Sequence, residues 1–162
     1  MHFQTGRQFA GGIAILGILI LALRVYLRMA DGESFGQAIS YLSQFFTILS
    51  NTLVVLIMGW IAVGRRVQPS IITALTIAIC CVGVIYHAVL AQLVDFQGLA
   101  LVADHGVHTV LPLLTVIWWL WHSERRAITW SAPVIWVIWP IVYCGYALTR
   151  AVFSGFYPYP FL

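Results

Sequence analysis

Long apolar segments alternate with short polar turns along this chain. Each apolar segment is about 20 residues long, the length that an α-helix needs to cross the hydrocarbon core of a bilayer. The turns between them carry charged residues and glycines that cannot continue through lipid. The pattern predicts an all-α, polytopic transmembrane bundle in a single domain over residues 1–162, with about five spans at 8–27, 40–62, 71–93, 103–121 and 130–153.

The composition agrees with a membrane protein. Hydrophobic residues make up 62% of the chain and charged residues 8%, and a soluble domain of this size cannot bury so much apolar surface. The basic residues are scattered without forming a stripe, so we expect no nucleic-acid partner. The three cysteines lie inside apolar segments without metal-ligand spacing, so we expect no metal and no other cofactor.

The arginines also predict an orientation. One predicted side of the membrane carries Arg7, Arg65, Arg66, Arg125 and Arg126, and the other carries Arg24, Arg28 and Arg150. Positively charged loops stay preferentially in the cytoplasm. We therefore expect an integral protein of the cell (plasma) membrane, with a cytoplasmic N-terminus and a C-terminus outside.

Polar side chains recur along the second predicted span at steps of three and four residues. They are Ser40, Ser43, Gln44, Thr47, Ser50 and Asn51. Such spacing places them on one helix face, which must point into the bundle. Two interpretations stay open. The face can carry a catalytic site, or it can serve helix packing alone, since small hydroxyl residues also mediate ordinary packing in membranes.

The fourth predicted span opens with two histidines, His105 and His108, followed by Pro112. Because Pro112 has no N–H, the carbonyl of His108 loses its helical partner and the helix should bend there. An ionisable residue within a span often marks a functional site. A hydrogen-bonded structural histidine is the alternative.

Two further charged or titratable side chains lie within spans. His87 is on the third span, and Arg150 is near the outer end of the fifth. Each is a candidate for a functional role, and each can instead be structural. In particular, Arg150 can reach water or Asp104 with its long side chain.

Depth relates the candidates on different helices. With a rise of about 1.5 Å per residue, Thr47, His87 and His108 each lie roughly 10 Å or less from the outer end of their spans. The sequence thus predicts that the three residues share one membrane level, in a site open to the outer leaflet.

The motifs at this level resemble those of the androgen-induced membrane hydrolases of animals and their bacterial relatives. The matching segments are Phe45-Phe46-Thr47 with Asn51, His105-Gly106-Val107-His108-Thr109-Val110-Leu111-Pro112, and the final Tyr157-Pro158-Tyr159-Pro160-Phe161-Leu162. The resemblance implies a six-helix protein that hydrolyses fatty acid esters of hydroxy fatty acids with a threonine and a histidine, here Thr47 and His108. The family pattern places a sixth span after the final segment, where the given sequence stops. Three explanations of this difference stay open: a fragment, a natural truncation, and an oligomer that completes the bundle.

The implied chemistry is that of an activated hydroxyl. His108 would remove the proton of Thr47 as its oxygen attacks the ester carbonyl, and would return the proton to the departing oxygen. Asn51 would donate a hydrogen bond to the developing oxyanion. Gln44, His87, His105 and Arg150 are the supporting or substrate-binding candidates, with a lipid ester as substrate.

Two functions from other classes remain as alternatives. A haem- or metal-binding membrane protein would use His87 and His108 as axial ligands across neighbouring helices. A transporter or structural membrane protein would use the polar face of the second span for packing alone. The expected partners in every case are membrane lipids, with a second copy of the chain as an additional candidate.

Overall fold

The computed structural model describes residues 2–124 and 132–159, and these residues are all-α. The helices are α1 (His2–Ala30), α2 (Phe35–Leu42), α3 (Phe46–Ala62), α4 (Pro69–Ile85), α5 (Gly98–His105), α6 (Leu111–His122), α7 (Ala132–Trp136) and α8 (Ile138–Ser154). A π-helical turn (Tyr86–Leu90) and a 3₁₀ turn (Ala91–Leu93) continue α4. A second π-helical turn (Gly106–Val110) joins α5 to α6. The predicted fold class is confirmed.

Four helical segments are long and apolar enough to cross a membrane: Gln4–Ala30, Pro69–Leu93, Gly98–His122 and Ala132–Ser154. The pair α2 and α3 supplies a fifth if the two are counted as one broken span. This is the architecture of a multi-pass membrane protein. Residues 130 and 131 of the predicted fifth span, the orientation residues Arg125 and Arg126, and the end of the final motif, Pro160 to Leu162, lie outside the described residues.

The helices pack with an apolar core and an apolar exterior. α1 packs against α3 and α6, while α4 packs against α3, α6 and α7. Ile13, Met58, Ile79 and Leu111 are fully buried between them. Large apolar side chains also point outward, as at Phe153, which is 86% exposed. An outward apolar surface suits lipid tails, so the bundle presents to the bilayer what a soluble protein would hide.

The second predicted span is wrong as a continuous helix from 40 to 62. α2 and α3 meet at an angle of 99°, and Phe45 between them has an extended backbone. In a continuous helix the carbonyl of Ser40 would accept the N–H of Gln44. Here that carbonyl accepts hydrogen bonds from Arg150 Nη2 and Ser43 Oγ, each at 2.9 Å.

The break divides the predicted polar face between two helices. Gln44 donates its N–H to the carbonyl of Tyr41, three residues back, and its own carbonyl accepts the hydroxyl of Tyr143 at 2.8 Å. Thr47, Ser50 and Asn51 alone continue the face on α3, where all three are buried. The bend places the N-terminus of α3 inside the bundle.

Pro112 produces a widened turn where a bend was predicted. The π-helical turn ends at Val110, and Pro112 lies in the first turn of α6, a position where a missing N–H is tolerated. The segment Gly98–His122 thereby stays one continuous span. His87 and His108 each lie in one of the two π-helical turns, a feature that occurs frequently at functional sites.

Candidate active site

A buried carboxylate and imidazole form the centre of the candidate site. Oδ1 of Asp104 lies 3.2 Å from Nδ1 of His108, and the backbone carbonyl of Asp104 lies 3.1 Å from the same nitrogen. Asp104 is 1% exposed and His108 8% exposed. With Nδ1 donating to Asp104, the other ring nitrogen, Nε2, carries the lone pair that a general base uses.

Stacking against Tyr86 fixes the plane of this imidazole. The ring centroids of Tyr86 and His108 are 3.9 Å apart and the planes differ by 8°. Gly83, one turn earlier on α4, makes this approach feasible, because a Cβ atom there would lie 3.1 Å from the carbonyl oxygen of His108. The contact between the two spans is therefore tight at the level of His108.

Arg24 on α1 is the cation nearest to the carboxylate. Its Nη1 lies 3.8 Å from Oδ1 of Asp104, with side-chain exposures of 20% and 2%. Of the two partners considered for Arg150, water and Asp104, the carboxylate has Arg24 beside it instead. A nearby cation offsets part of the cost of burying the carboxylate.

Thr47 lies at the N-terminus of α3, where the chain enters the helix without a side-chain cap. The first N–H groups of a helix have no partner within it and carry its positive dipole end. The threonine hydroxyl is thus placed where negative charge is stabilised. Sequence spacing could not reveal this, because a continuous second span would have put Thr47 in mid-helix.

Asn51 connects this helix end to the histidine segment. Its Nδ2 donates to the carbonyl of Thr47 at 2.8 Å and to the carbonyl of Val107 at 3.0 Å. Both amide protons are thereby used on the backbone, so Asn51 positions Thr47 against the residue next to His108. The amide oxygen of Asn51 is buried without a hydrogen-bond partner in the described structure and can accept a donor from a ligand.

The hydroxyl of Thr47 contacts the segment that follows α8, residues 155–159, which we call the tail. Tyr159 places its hydroxyl oxygen 3.4 Å from the backbone nitrogen of Thr47 and 3.5 Å from the threonine Oγ1. Its ring packs against Phe45 and Tyr143. Burial raises the pKa of the Tyr159 hydroxyl, which keeps it neutral at physiological pH. In the described structure, the hydroxyl of Thr47 therefore hydrogen-bonds Tyr159 and makes no such bond to His108.

His87 and His105 meet at a different hydroxyl, that of Thr109. His87 Nε2 lies 2.9 Å from Thr109 Oγ1, and His105 Nδ1 lies 3.4 Å from the same oxygen. Both histidines are exposed on the bundle surface. Sequence reasoning did not single out Thr109, although its position four residues after His105 and directly after His108 was a usable signal.

Two predicted supporting residues have structural contacts. Arg150 bonds Ser40 Oγ at 2.7 Å and Tyr146 at 2.9 Å, in addition to its contact with the Ser40 carbonyl. Gln44 is buried in the break between α2 and α3. Both residues contact the bend that places the N-terminus of α3 inside the bundle.

The arrangement of the histidines disfavours a shared axial ligation. His108 stacks on Tyr86 and faces Asp104, whereas His87 faces Thr109. Axial haem ligation needs two imidazoles pointing into one slot from opposite sides. His87 and His108 belong to separate clusters, so the geometry favours acid–base chemistry at His108 over ligation by the pair.

No protein-family model, curated protein or solved structure matches this chain.

Proposed function

We propose that the protein is an intramembrane lipid-ester hydrolase in which Thr47 is the nucleophile and His108 the general base. The observation that carries the proposal is the buried contact of Asp104 with Nδ1 of His108. A carboxylate in this position orients the imidazole and stabilises the imidazolium that forms when the base takes a proton. Charged side chains are few in this chain, and burying one costs free energy unless it has a function or a partner.

The reaction would proceed in two steps through a covalent intermediate. Thr47 Oγ1 attacks the ester carbonyl carbon while His108 Nε2 takes the hydroxyl proton. The C–O bond of the ester then breaks, and the departing alkoxide oxygen receives that proton from His108. Water, deprotonated by His108, attacks the acyl-threonine and releases the fatty acid with regeneration of the hydroxyl.

The N-terminus of α3 supports the same reaction electrostatically. The backbone N–H of Thr47 points to the Tyr159 oxygen in this structure, so an oxygen atom is already accommodated there. During catalysis the carbonyl oxygen of the ester would occupy this position as it becomes an oxyanion. Backbone donors that are aligned in advance stabilise such charge strongly in a site that excludes water.

The motif resemblance extends the proposal to the substrate and the family. Fatty acid esters of hydroxy fatty acids are the proposed substrate class, and the chain is proposed as a bacterial relative of the androgen-induced hydrolases. The buried acceptor of Asn51 can receive a hydroxyl donor from such a ligand. The proposed setting is the cell membrane, with the N-terminus cytoplasmic, the C-terminus outside, lipids as neighbours and self-association as a further property.

A fluorophosphonate probe, which phosphonylates activated hydroxyls, tests the proposal on the full chain in detergent. We expect labelling of the wild type and loss of labelling in Thr47→Ala and in His108→Ala. The matched control is Thr52→Ala on the same helix, whose hydroxyl bonds the carbonyl of Ile48; it should label like the wild type. Equal labelling of all four proteins, or none with a folded wild type, would contradict a hydrolase.

The same variants separate the remaining alternatives. If the protein is purely structural, Thr47→Ala should lower the unfolding temperature, and none of the four proteins should hydrolyse an ester. If the protein binds haem, its absorption spectrum should show a Soret band that disappears in His87→Ala or His108→Ala. Either result would replace the hydrolase proposal.

A further inference from the structure

A large cavity opens at the end of the bundle opposite Thr47 and His108. Its volume is about 1120 Å³, somewhat above the usual range of small-molecule sites. It lies where α1 begins, α3 ends, α4 begins and α6 ends, and three arginines line it: Arg7, Arg65 and Arg66. We call it the Arg7 cavity.

The described lining of the Arg7 cavity carries more positive than negative charge. Among the described residues, none of the three guanidinium groups lies within 4.0 Å of a carboxylate. Glu124 is the acidic residue in the lining, against three arginines. Guanidinium groups that lack a carboxylate partner can bind an anion through charge-assisted hydrogen bonds.

Hydrogen bonds to the end of α3 hold Arg7 at the cavity. Its Nε and Nη2 donate to the carbonyl of Ala62 at 3.3 and 3.2 Å, which caps the C-terminus of α3. Gly64 follows with a φ of +86°, and a Cβ atom there would lie 2.8 Å from Arg7 Nη2. The positive φ favours glycine in this turn, and the guanidinium of Arg7 lies against it.

Two further polar features line the same cavity. α4 begins at Pro69 without a side-chain cap from Gln68, and both residues line the Arg7 cavity. The positive end of this helix dipole therefore adds to the arginines. Ser123, also in the lining, has a buried hydroxyl with no hydrogen-bond partner in the described part of the chain.

The remaining lining is apolar and aromatic. Trp118 is buried, and its indole N–H donates to the carbonyl of Gly6 at 2.8 Å, while Ile61 and Ile72 lie beside it. Trp60 and Trp121 are exposed at this end, as is typical of tryptophans at a membrane interface. The described lining of the cavity thus combines cationic, polar and apolar side chains, and it lies at the ends of helices long and apolar enough to cross a membrane.

We propose that the Arg7 cavity binds the phosphate group of an anionic phospholipid. Three guanidinium groups and a helix N-terminus match the charge and the acceptor oxygens of a phosphate. The apolar part of the lining accommodates the start of the acyl chains, which a free phosphate does not possess. Basic pockets between transmembrane helices bind such headgroups on this principle.

The test measures the unfolding temperature of the purified full chain in neutral detergent. Dioleoyl phosphatidylglycerol is compared with dioleoyl phosphatidylcholine and with sodium phosphate. At a tenfold excess over the dissociation constant, a bound lipid should raise the unfolding temperature by about 3–6 °C. Phosphatidylcholine and sodium phosphate should leave it unchanged.

Variants locate the effect. Arg66→Gln should weaken the apparent affinity for phosphatidylglycerol about fivefold, and Glu124→Gln should tighten it, since it removes the opposing charge. The matched control, Arg28→Gln, loses one positive charge at the other end of the bundle and should keep the wild-type lipid response. That response is the change on adding lipid, so a lower starting stability of any variant does not obscure it.

Three results would overturn the proposal. Equal shifts with phosphatidylglycerol and phosphatidylcholine would show that the headgroup charge is not recognised. A wild-type response in Arg66→Gln, or a loss of response in Arg28→Gln, would place the effect outside the Arg7 cavity. A shift with sodium phosphate as large as that with the lipid would assign the cavity to soluble phosphate compounds.

Discussion

Oδ1 of Asp104 lies 3.2 Å from Nδ1 of His108, four residues later in the same span. The two side chains are brought together across the start of a π-helical turn and are buried against Tyr86 and Arg24. In the proposed reaction Asp104 acts through His108, because it fixes the ring and leaves Nε2 directed away. Its removal should affect turnover more than substrate binding.

Replacing Asp104 by asparagine should lower kcat for hydrolysis of a lipid ester by about 10²–10⁴-fold. The neutral amide no longer stabilises the imidazolium that forms when His108 takes a proton, although the backbone carbonyl of residue 104 still lies 3.1 Å from Nδ1. KM should change little, because Asp104 does not contact the substrate. Steady-state hydrolysis in detergent micelles measures both constants.

Asp95→Asn is the matched control for this substitution. Asp95 is exposed in the turn between the 3₁₀ segment and α5, so the Asp95→Asn protein should hydrolyse the ester at the wild-type rate. A folded Asp104→Asn protein with wild-type kcat would contradict the assigned role of the carboxylate.

Thr109 provides a direct comparison with Thr47, because its hydroxyl lies within hydrogen-bond distance of two imidazoles. Thr109→Val should retain hydrolysis within about threefold, since it removes only the hydroxyl between His87 and His105. Thr47→Val, with the same change of atoms, should abolish it. Rates measured on both variants would identify Thr109 as the nucleophile if the pattern were reversed.

The tail contact at Thr47 predicts an effect of Tyr159→Phe. The hydroxyl of Tyr159 accepts from the backbone N–H of Thr47, which is the donor proposed for the oxyanion. Its removal should free that donor and raise the rate of labelling by the fluorophosphonate probe several-fold.

Tyr157→Phe is the control for the tail variant, because Tyr157 is 53% exposed and two residues away. It should label at the wild-type rate. A slower reaction in Tyr159→Phe would mean that the tyrosine hydroxyl assists the reaction instead of occupying the oxyanion position.

Gly83→Ala tests the close contact between α4 and the histidine segment. The added Cβ atom would lie 3.1 Å from the His108 carbonyl oxygen and 3.6 Å from Pro112 Cβ, so the helices must separate. We expect a loss of about 1–3 kcal/mol, or roughly 2–12 °C in unfolding temperature, and slower hydrolysis.

Gly145→Ala on α8 is the corresponding control, because nothing lies within 4 Å of its Cβ position. This variant should keep its stability or gain up to about 1 kcal/mol from the higher helix propensity of alanine. Equal unfolding temperatures for the two variants would argue against a tight contact at Gly83.

Much of the fold could be predicted from hydropathy. Spans 1, 3, 4 and 5 of the sequence prediction correspond to helical segments that start and end within a few residues of it, because apolar length alone decides whether a helix can cross lipid. The shared level of the candidate residues also follows from spacing. Asn51, one turn beyond Thr47, reaches Val107, and His87 reaches Thr109, the neighbour of His108.

The candidate site was less predictable because its decisive contacts lie between helices. The sequence left water and Asp104 open as partners of Arg150, whereas the packing of α1 brings Arg24 beside Asp104. It also left Thr109 unremarked, although two imidazoles converge on its hydroxyl. Such pairings depend on how helices rotate against one another, which a periodic pattern does not specify.

The sequence by itself determined that the chain is a helical membrane protein, that the polar residues from Gln44 to Asn51 turn inward, and that Pro112 disturbs the helix at His108. Each follows from the physics of one segment: apolar length, side-chain periodicity or a missing N–H. Only the tertiary structure decided that the second span breaks before Phe46. The reason is that Arg150 and Tyr143, more than 95 residues away, bond the carbonyls of Ser40 and Gln44 and leave Thr47 at a helix N-terminus.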